Sequence, residues 1–576
     1  MRLLRRILVG LLATVGAVTI LAVVAGGWFA WHFSREGGEL PQRMLLVADW
    51  RSSLSETAGP PDLLDFQFRP PPTVTDTVLA LDRAARDPRV AGLLVRLAET
   101  EHGFAVAQEL RDAVLRFRAA GKFAFAEADT FGELSSGNEG YYIASAFDSI
   151  DLQPGGLVGL TGIAIQVPLA RDLLASLGIR MEVLRRAEYK SAFESLTDSQ
   201  LSGHNREQLE ALLDQLSRQL VSGIADGRGL DDFKVQQLID RGPLTADEAL
   251  EAGLVDRLRY REESLTAAMR RAGPGTVAVS LGTYLDSGAQ AQVQVRAQTP
   301  GASVALIRAA GLIRRGDGPL GAEIAADELA GALEDIAEDP GLDAVLLRLD
   351  SGGGSAVASE TIRRAILVVR AAGKPVIVSM GNAAASGGYW IATGADRIIA
   401  QPATLTGSIG VIAGKPVLEE AWRKLGVNWA EIARGANAGQ WSINRPYTDE
   451  ARARVDALVG WLYDRFTRLV ADARDMPQTR VNEIARGRVW AGAMALRLGL
   501  VDELGGLDVA LAAVRRSLQL PPDAVLAVAI RPVDDNPLRE FLRSLRPFGA
   551  KLAALVGLMD RSLGSAVGID PGLTIR

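Results

Sequence analysis

Short apolar runs rich in Val, Ile and Leu alternate along this chain with longer Ala-, Leu- and Arg-rich stretches of helical spacing. Val345-Leu346-Leu347-Arg348-Leu349 predicts a strand. Ser359 to Ala372 predicts a helix ended by Gly373, since glycine readily takes the left-handed conformation of a C-cap. Lys374-Pro375-Val376-Ile377-Val378 restarts a strand. Strand and helix in regular alternation predict an α/β fold with a largely parallel sheet.

The pattern then repeats. VAGLLVRLAE (90–99), AAGK (119–122), YYIA (141–144) and ALEAGLVD (249–256) are echoed by LDAVLLRLDS (342–351), AAGK (371–374), YWIA (389–392) and ALRLGLVD (495–502). The offset stays between 246 and 252 residues, too long for a solenoid repeat and right for two tandem copies of one domain. The polar segment near 285–300 reads as the join. The division is 1–42, 43–290 for the first copy, 291–530 for the second, and 531–576 as an amphipathic tail.

The first segment differs from the rest. MRLLRR is followed by 25 uncharged residues, Ile7 to Trp31. As a helix this run spans a hydrocarbon core of about 30 Å, and its positive flank belongs on the cytoplasmic side. It predicts one transmembrane anchor, with the body outside the membrane. Ala22-Val23-Val24-Ala25 also permits a signal-peptide reading, but the run exceeds the usual apolar core of about 7–15 residues. Phe541 to Ile569 carries too many charges to span; it packs on the body or lies on a membrane surface.

Composition narrows the chemistry. The chain has 576 residues, 48% hydrophobic and 23% charged, with a net charge of −6, which gives no basic face for nucleic acid. It has no cysteine, which excludes disulfides, thiolate metal sites and a cysteine nucleophile. Its three histidines, His32, His102 and His204, have no metal-type spacing. Lysine is scarce, seven against 56 arginines. Burial can make a lysine neutral but not an arginine, so a lysine in an unusual place is a candidate base.

Differences between the copies point to one site. Placing Gln153-Pro154 on Gln401-Pro402 sets Leu160 opposite Ser408, so the serine of TLTGSIGV (404–411) exists in one copy only. Lys190, in EYKSAFE (188–194), has no lysine opposite it in the second copy. A serine nucleophile needs a base. His32 belongs to the membrane exit, His102 to a Glu-flanked loop and His204 to a polar helix start, so a Ser-His-Asp triad is poorly supported. A lysine neutralised by burial can take that role. Asp350-Ser351-Gly352-Gly353-Gly354-Ser355 follows a strand and leaves backbone N–H groups open to an oxyanion. Ser386, in AAASGGYWIA (383–392), is a close-packed helix entry or a competing nucleophile.

These four motifs together resemble the signal peptide peptidase A family, in its long, two-copy, membrane-anchored form from Gram-negative bacteria. The resemblance covers roughly 43–530 and the anchor. It implies a Clp-protease/crotonase-like fold in each copy. It implies a Ser/Lys dyad, with Ser408 as nucleophile and Lys190 as base, and oxyanion donors at Gly353 and Gly354. It further implies a homotetramer at the outer face of the inner membrane that cuts remnant signal peptides, with no metal or organic cofactor. One departure is Gly352, where the family usually has proline. A crotonase-like acyl-transfer enzyme and a non-catalytic scaffold of the same fold are the rival readings.

Overall fold

The computed structural model describes residues 40–57, 72–133, 135–285, 287, 301–318 and 323–531. The predicted anchor (7–31), most of the predicted join and the amphipathic tail lie outside the described residues. Among the described residues no helix is long and apolar enough to cross a membrane.

The alternation is realised as two sheets, each covered by helices. The first has the order Arg257–Leu258, Ser149–Leu152, Phe123–Ala128, Val90–Leu97, Met44–Asp49, Val277–Ser280, parallel throughout. In the second, Leu526–Arg531, Ala302–Ala310, Ala344–Ser351 and Val376–Ala385 run parallel in that order. The predicted strand at 345–349 lies within Ala344–Ser351. Residues of this strand alternate between two cores, as a period of two requires. Leu346 packs into the core shared with the first sheet, Val345 and Leu347 into the core on the opposite face. A parallel strand buried on both sides explains the continuous apolar run.

Two boundaries differ from expectation. The helix runs Ala356–Ala371, three residues earlier, because Ser355 caps it and accepts from the Ala358 N–H. The next strand begins at Val376. Pro375 has no N–H for a ladder, and the Lys374 Nζ instead donates to the carbonyls of Ile336 and Asp339.

Two features of the second copy position the site. Strand Val376–Ala385 is long enough to fork: its first half pairs with Arg397–Ala400 and its end with Leu405–Gly407. Ala385 lies in register with Gly407, so residues 386 and 408 leave the sheet side by side. Then Val411–Val417 pairs antiparallel with Arg180–Arg186 of the first copy, Val411 opposite Arg186. This ribbon carries the first copy's chain to Lys190 beside the second copy's sheet edge.

Candidate active site

Lys190 is 5% exposed. Its Nζ lies 3.0 Å from Ser386 Oγ, 2.9 Å from Ser408 Oγ and 2.8 Å from the Ser408 carbonyl oxygen. Among the described residues no carboxylate pairs with it, and burial lowers its pKa to about 8. Desolvation disfavours the ammonium, so the neutral amine is accessible near neutral pH. A neutral amine has two N–H donors and one lone pair. The Ser408 carbonyl takes one N–H. The other N–H and the lone pair are left for the two hydroxyls, so only one serine can give its proton to the lysine.

Both serines have backbone conformations uncommon for a residue with a side chain, φ 54° at Ser386 and 51° at Ser408. Each is held by the backbone. The Ser386 N–H donates to the Gly407 carbonyl and the Ser408 N–H to the Arg488 carbonyl. Their surroundings differ. Ser386 ends a strand and opens the short helix Gly387–Ala392. The glycine-rich loop closes on it: a Cβ on Gly353 would stand 2.8 Å from Ser386 Cβ and 2.9 Å from the Gly387 nitrogen. A Cβ on Gly354 would meet the Ile313 carbonyl oxygen at 2.1 Å. Only glycine allows this approach.

The two expected oxyanion donors are not equivalent. The Gly353 N–H already donates to Ser351 Oγ at 3.1 Å, so this loop residue shapes the turn without offering a donor. Among the described residues the Gly354 N–H donates no hydrogen bond, and a Cβ on Gly387 would stand 3.1 Å from the Gly354 nitrogen. Gly352, where proline was expected, has open space around its Cβ position, so the substitution disturbs no packing.

The first copy shows why it has no such site. With the repeat offsets, Asn138 stands where Ser386 does and Glu139 where Gly387 does. Glu139 Oε2 accepts from the N–H groups of His102 and Gly103, at 2.7 and 2.9 Å, and so occupies that copy's loop donors. Leu160, opposite Ser408, is fully buried. His102 itself is buried, with Nδ1 accepting from the Leu54 N–H, and desolvation lowers its pKa to about 4. The His204 ring packs at a tilt against Tyr189, 4.9 Å between centroids, and makes no hydrogen bond to either serine. Among the described residues no group of acidic or imidazole side chains is placed to hold a metal ion.

Sequence reading missed the turn Arg486-Gly487-Arg488, which joins the lysine and serine segments. Its Arg486 carbonyl accepts from the Tyr189 N–H at 3.0 Å, and its Gly487 N–H donates to the Ile409 carbonyl at 2.9 Å. In sequence it is an ordinary polar turn ahead of a strand. A cavity of about 350 Å³ runs beside the ribbon; Met181, Val183, Phe193 and Ile412 line it among charged side chains of both signs, such as Arg185 and Glu182.

The family model of peptidase family S49 matches residues 131–274 and 369–520. The chain is 33% identical over 451 residues to Protease 4 of Salmonella typhi, covering 76% of this chain and 71% of that one. It is 33% identical over 453 residues to the chloroplastic serine protease SPPA of Arabidopsis thaliana, covering 76% of this chain and 65% of that relative's length. A solved ClpP1 variant from Listeria monocytogenes aligns at 18% identity with a TM-score of 0.23, covering 38% of this chain and 96% of that one. At that score the fold assignment rests on the strand order alone.

Proposed function

The chain belongs to peptidase family S49, and on that footing we propose a serine endopeptidase with Lys190 as general base and Ser408 as nucleophile. One observation supports this reading. The buried Lys190 amine of the first copy lies 2.9 Å from Ser408 Oγ of the second. Ser386 Oγ, 3.0 Å from the same amine, is the competing nucleophile; in this reading it helps hold the base.

In this mechanism the Lys190 lone pair takes the Ser408 hydroxyl proton as Oγ attacks a peptide carbonyl. Backbone N–H groups of the glycine-rich loop, Gly354 the candidate among them, would hold the oxyanion. The Lys190 ammonium gives its proton to the leaving amine. A water then gives a proton to Lys190 as it attacks the ester, and Lys190 returns that proton to Ser408 Oγ as it leaves.

The proposed substrates are hydrophobic peptides such as cleaved signal peptides. The antiparallel ribbon at 411–417 and 180–186 lies beside the site, and an anchor at 7–31 would hold that site at the inner membrane where such peptides are released. We also propose head-to-tail assembly into a homotetramer. Within one chain, helix Phe104–Ala119 of the first copy docks on the second: Gln108 Oε1 accepts from the Ala403 N–H and Asn382 Oδ1 from the Val106 N–H. The matching face of the first copy, with Thr130, Gln153 and Gly156, lines an open cavity of about 600 Å³. The matching helix of the second copy, Ala356–Ala371, exposes Val357. One contact repeated between chains would fill both.

A serine-reactive fluorophosphonate, with peptide mapping of the adduct, tests the assignment. Wild type is expected to be labelled on Ser408. Ser408→Ala should lose labelling and cleavage of a hydrophobic peptide, while Ser386→Ala keeps labelling at a reduced rate. An adduct on Ser386 would move the nucleophile there.

The pH dependence follows from the base. The neutral amine is the competent form, so kcat/KM should rise with pH through a midpoint near 8 and fall away below it. A midpoint near the ordinary lysine value would show that the amine is not desolvated in the working enzyme.

A further inference from the structure

We propose that the turn Arg486-Gly487-Arg488 fixes where the Lys190 amine sits, with Gly487 as a positioning residue for the general base. This rests on the reading of Lys190 given above.

Lys190 belongs to the first copy and both serines to the second, so something must register one copy's chain against the other's. The ribbon ends at Arg186, four residues short of the lysine. From there the turn takes over. Its three residues bond in both directions: the Arg486 carbonyl to the Tyr189 N–H, the Gly487 N–H to the Ile409 carbonyl, and the Arg488 carbonyl to the Ser408 N–H. One short segment thus grips the residue before the lysine, the residue after Ser408, and Ser408 itself.

Side chains reinforce that grip across the same boundary. Arg486 pairs with Glu188, and Arg488 with Glu207 at 2.7 Å. Both guanidinium groups lie over the Tyr189 ring, 5.4 and 4.9 Å from its centroid, and the Tyr189 hydroxyl donates to Glu207. Cation–π contacts and charge-assisted bonds of this kind restrain orientation as well as position.

Gly487 is where the fit is tightest. It has φ +75°, and a Cβ there would stand 2.7 Å from both the Lys190 nitrogen and Lys190 Cβ, and 2.9 Å from its Cα. Ordinary contacts between such atoms are about 3.5–4.0 Å, so a methyl group must push the two segments apart by roughly 1 Å. Two of these atoms are backbone and the third is the Cβ fixed to them, so none can swing aside. On the other side, a Cβ on Gly410 would stand 3.2 Å from Lys190 Cδ. The stem is therefore held between two glycines, and its amine has little room to compensate.

The test is steady-state kinetics of the full chain on a hydrophobic peptide, from pH 6 to 10, for wild type, Lys190→Ala, Gly487→Ala and the double variant Arg486→Gln/Arg488→Gln. Misplacing a reacting group by about 1 Å costs on the order of a hundredfold. Gly487→Ala should lower kcat by at least about tenfold with KM nearly unchanged, and should move the acid limb of the pH profile upward as the amine gains solvent. The double variant keeps Gly487 and should show the same shift with a smaller loss. It carries the test if Gly487→Ala does not fold by circular dichroism. A wild-type kcat and acid limb in folded Gly487→Ala, or in the double variant where the first does not fold, overturns the proposal while Lys190→Ala remains inactive. Full activity in Lys190→Ala would instead remove the base assignment beneath it.

Discussion

Lys190→Arg is expected to reduce kcat/KM by about 10²–10⁴-fold, the usual worth of a positioned general base, and Lys190→Ala by a similar factor. The arginine variant is the sharper of the two. Arginine keeps a long stem and its donors, so it can hydrogen-bond to the Ser408 carbonyl as lysine does. It cannot give up its proton at any working pH. If Lys190 mattered only as a cation or a donor, Lys190→Arg would keep most of the activity. If it works as a neutral base, Lys190→Arg should be as inactive as Lys190→Ala, and raising the pH to 10 should not rescue it. Burial sharpens the contrast further. The site desolvates the lysine enough to bring its pKa to about 8, whereas a guanidinium in the same place stays charged. Residual turnover in both variants would measure what backbone donors and substrate binding achieve without a base.

How much of this site was legible depends on distance along the chain. The α/β alternation and the repeat are local patterns, and the two sheets follow them closely. Lys190 stood out because it had no counterpart in the second copy, and both serines were named. What was not legible is that both hydroxyls reach the amine. That follows from Ala385 standing in register with Gly407, while the engagement of Gly353 follows from the Ser351 hydroxyl taking up its N–H. Neither is written in residue type or spacing, since a glycine-rich loop reads the same whichever way its donors point. Gly487 was invisible for a related reason. A glycine in a polar turn is common, and its role appears only when a segment 297 residues earlier passes against it. Arg348 was hidden differently. Inside VLLRLD it interrupts a strand buried on both faces, and its partners lie 292 and 239 residues away.

Those partners make Arg348 the second large effect. It is 1% exposed and joins Glu56 and Glu109, 6% and 1% exposed, through Nη2 at 2.6 Å to each. Its Nε donates again to Glu56, and its Nη1 to Ser379 Oγ. Glu109 sits on the first copy's docking helix and also accepts from the Leu507 N–H. The cluster therefore bolts the two copies together, and it does so with two carboxylates on one guanidinium. Burial pushes the Glu109 carboxyl up, opposed by Arg348. Arg348→Met keeps the apolar bulk but leaves buried carboxylates uncompensated, and the expected loss is about 3–5 kcal/mol at neutral pH. The sign of its pH dependence is fixed. Without Arg348 the folded chain binds more protons at Glu109 than the unfolded chain does, so stability falls as pH rises through the carboxylate range and is partly regained on acidification. Adding Glu56→Gln and Glu109→Gln should recover most of the loss, because the cost is the stranded charge and not the missing pair. Urea unfolding of the three proteins at pH 7.5 and pH 5.5 decides it. An Arg348→Met midpoint equal to wild type would mean that the copies are held by the shared apolar core alone. A midpoint that drops, and recovers with the added glutamines, would show that the buried charge cluster, and the stranded carboxylates left when Arg348 is gone, set how firmly the two copies are held together.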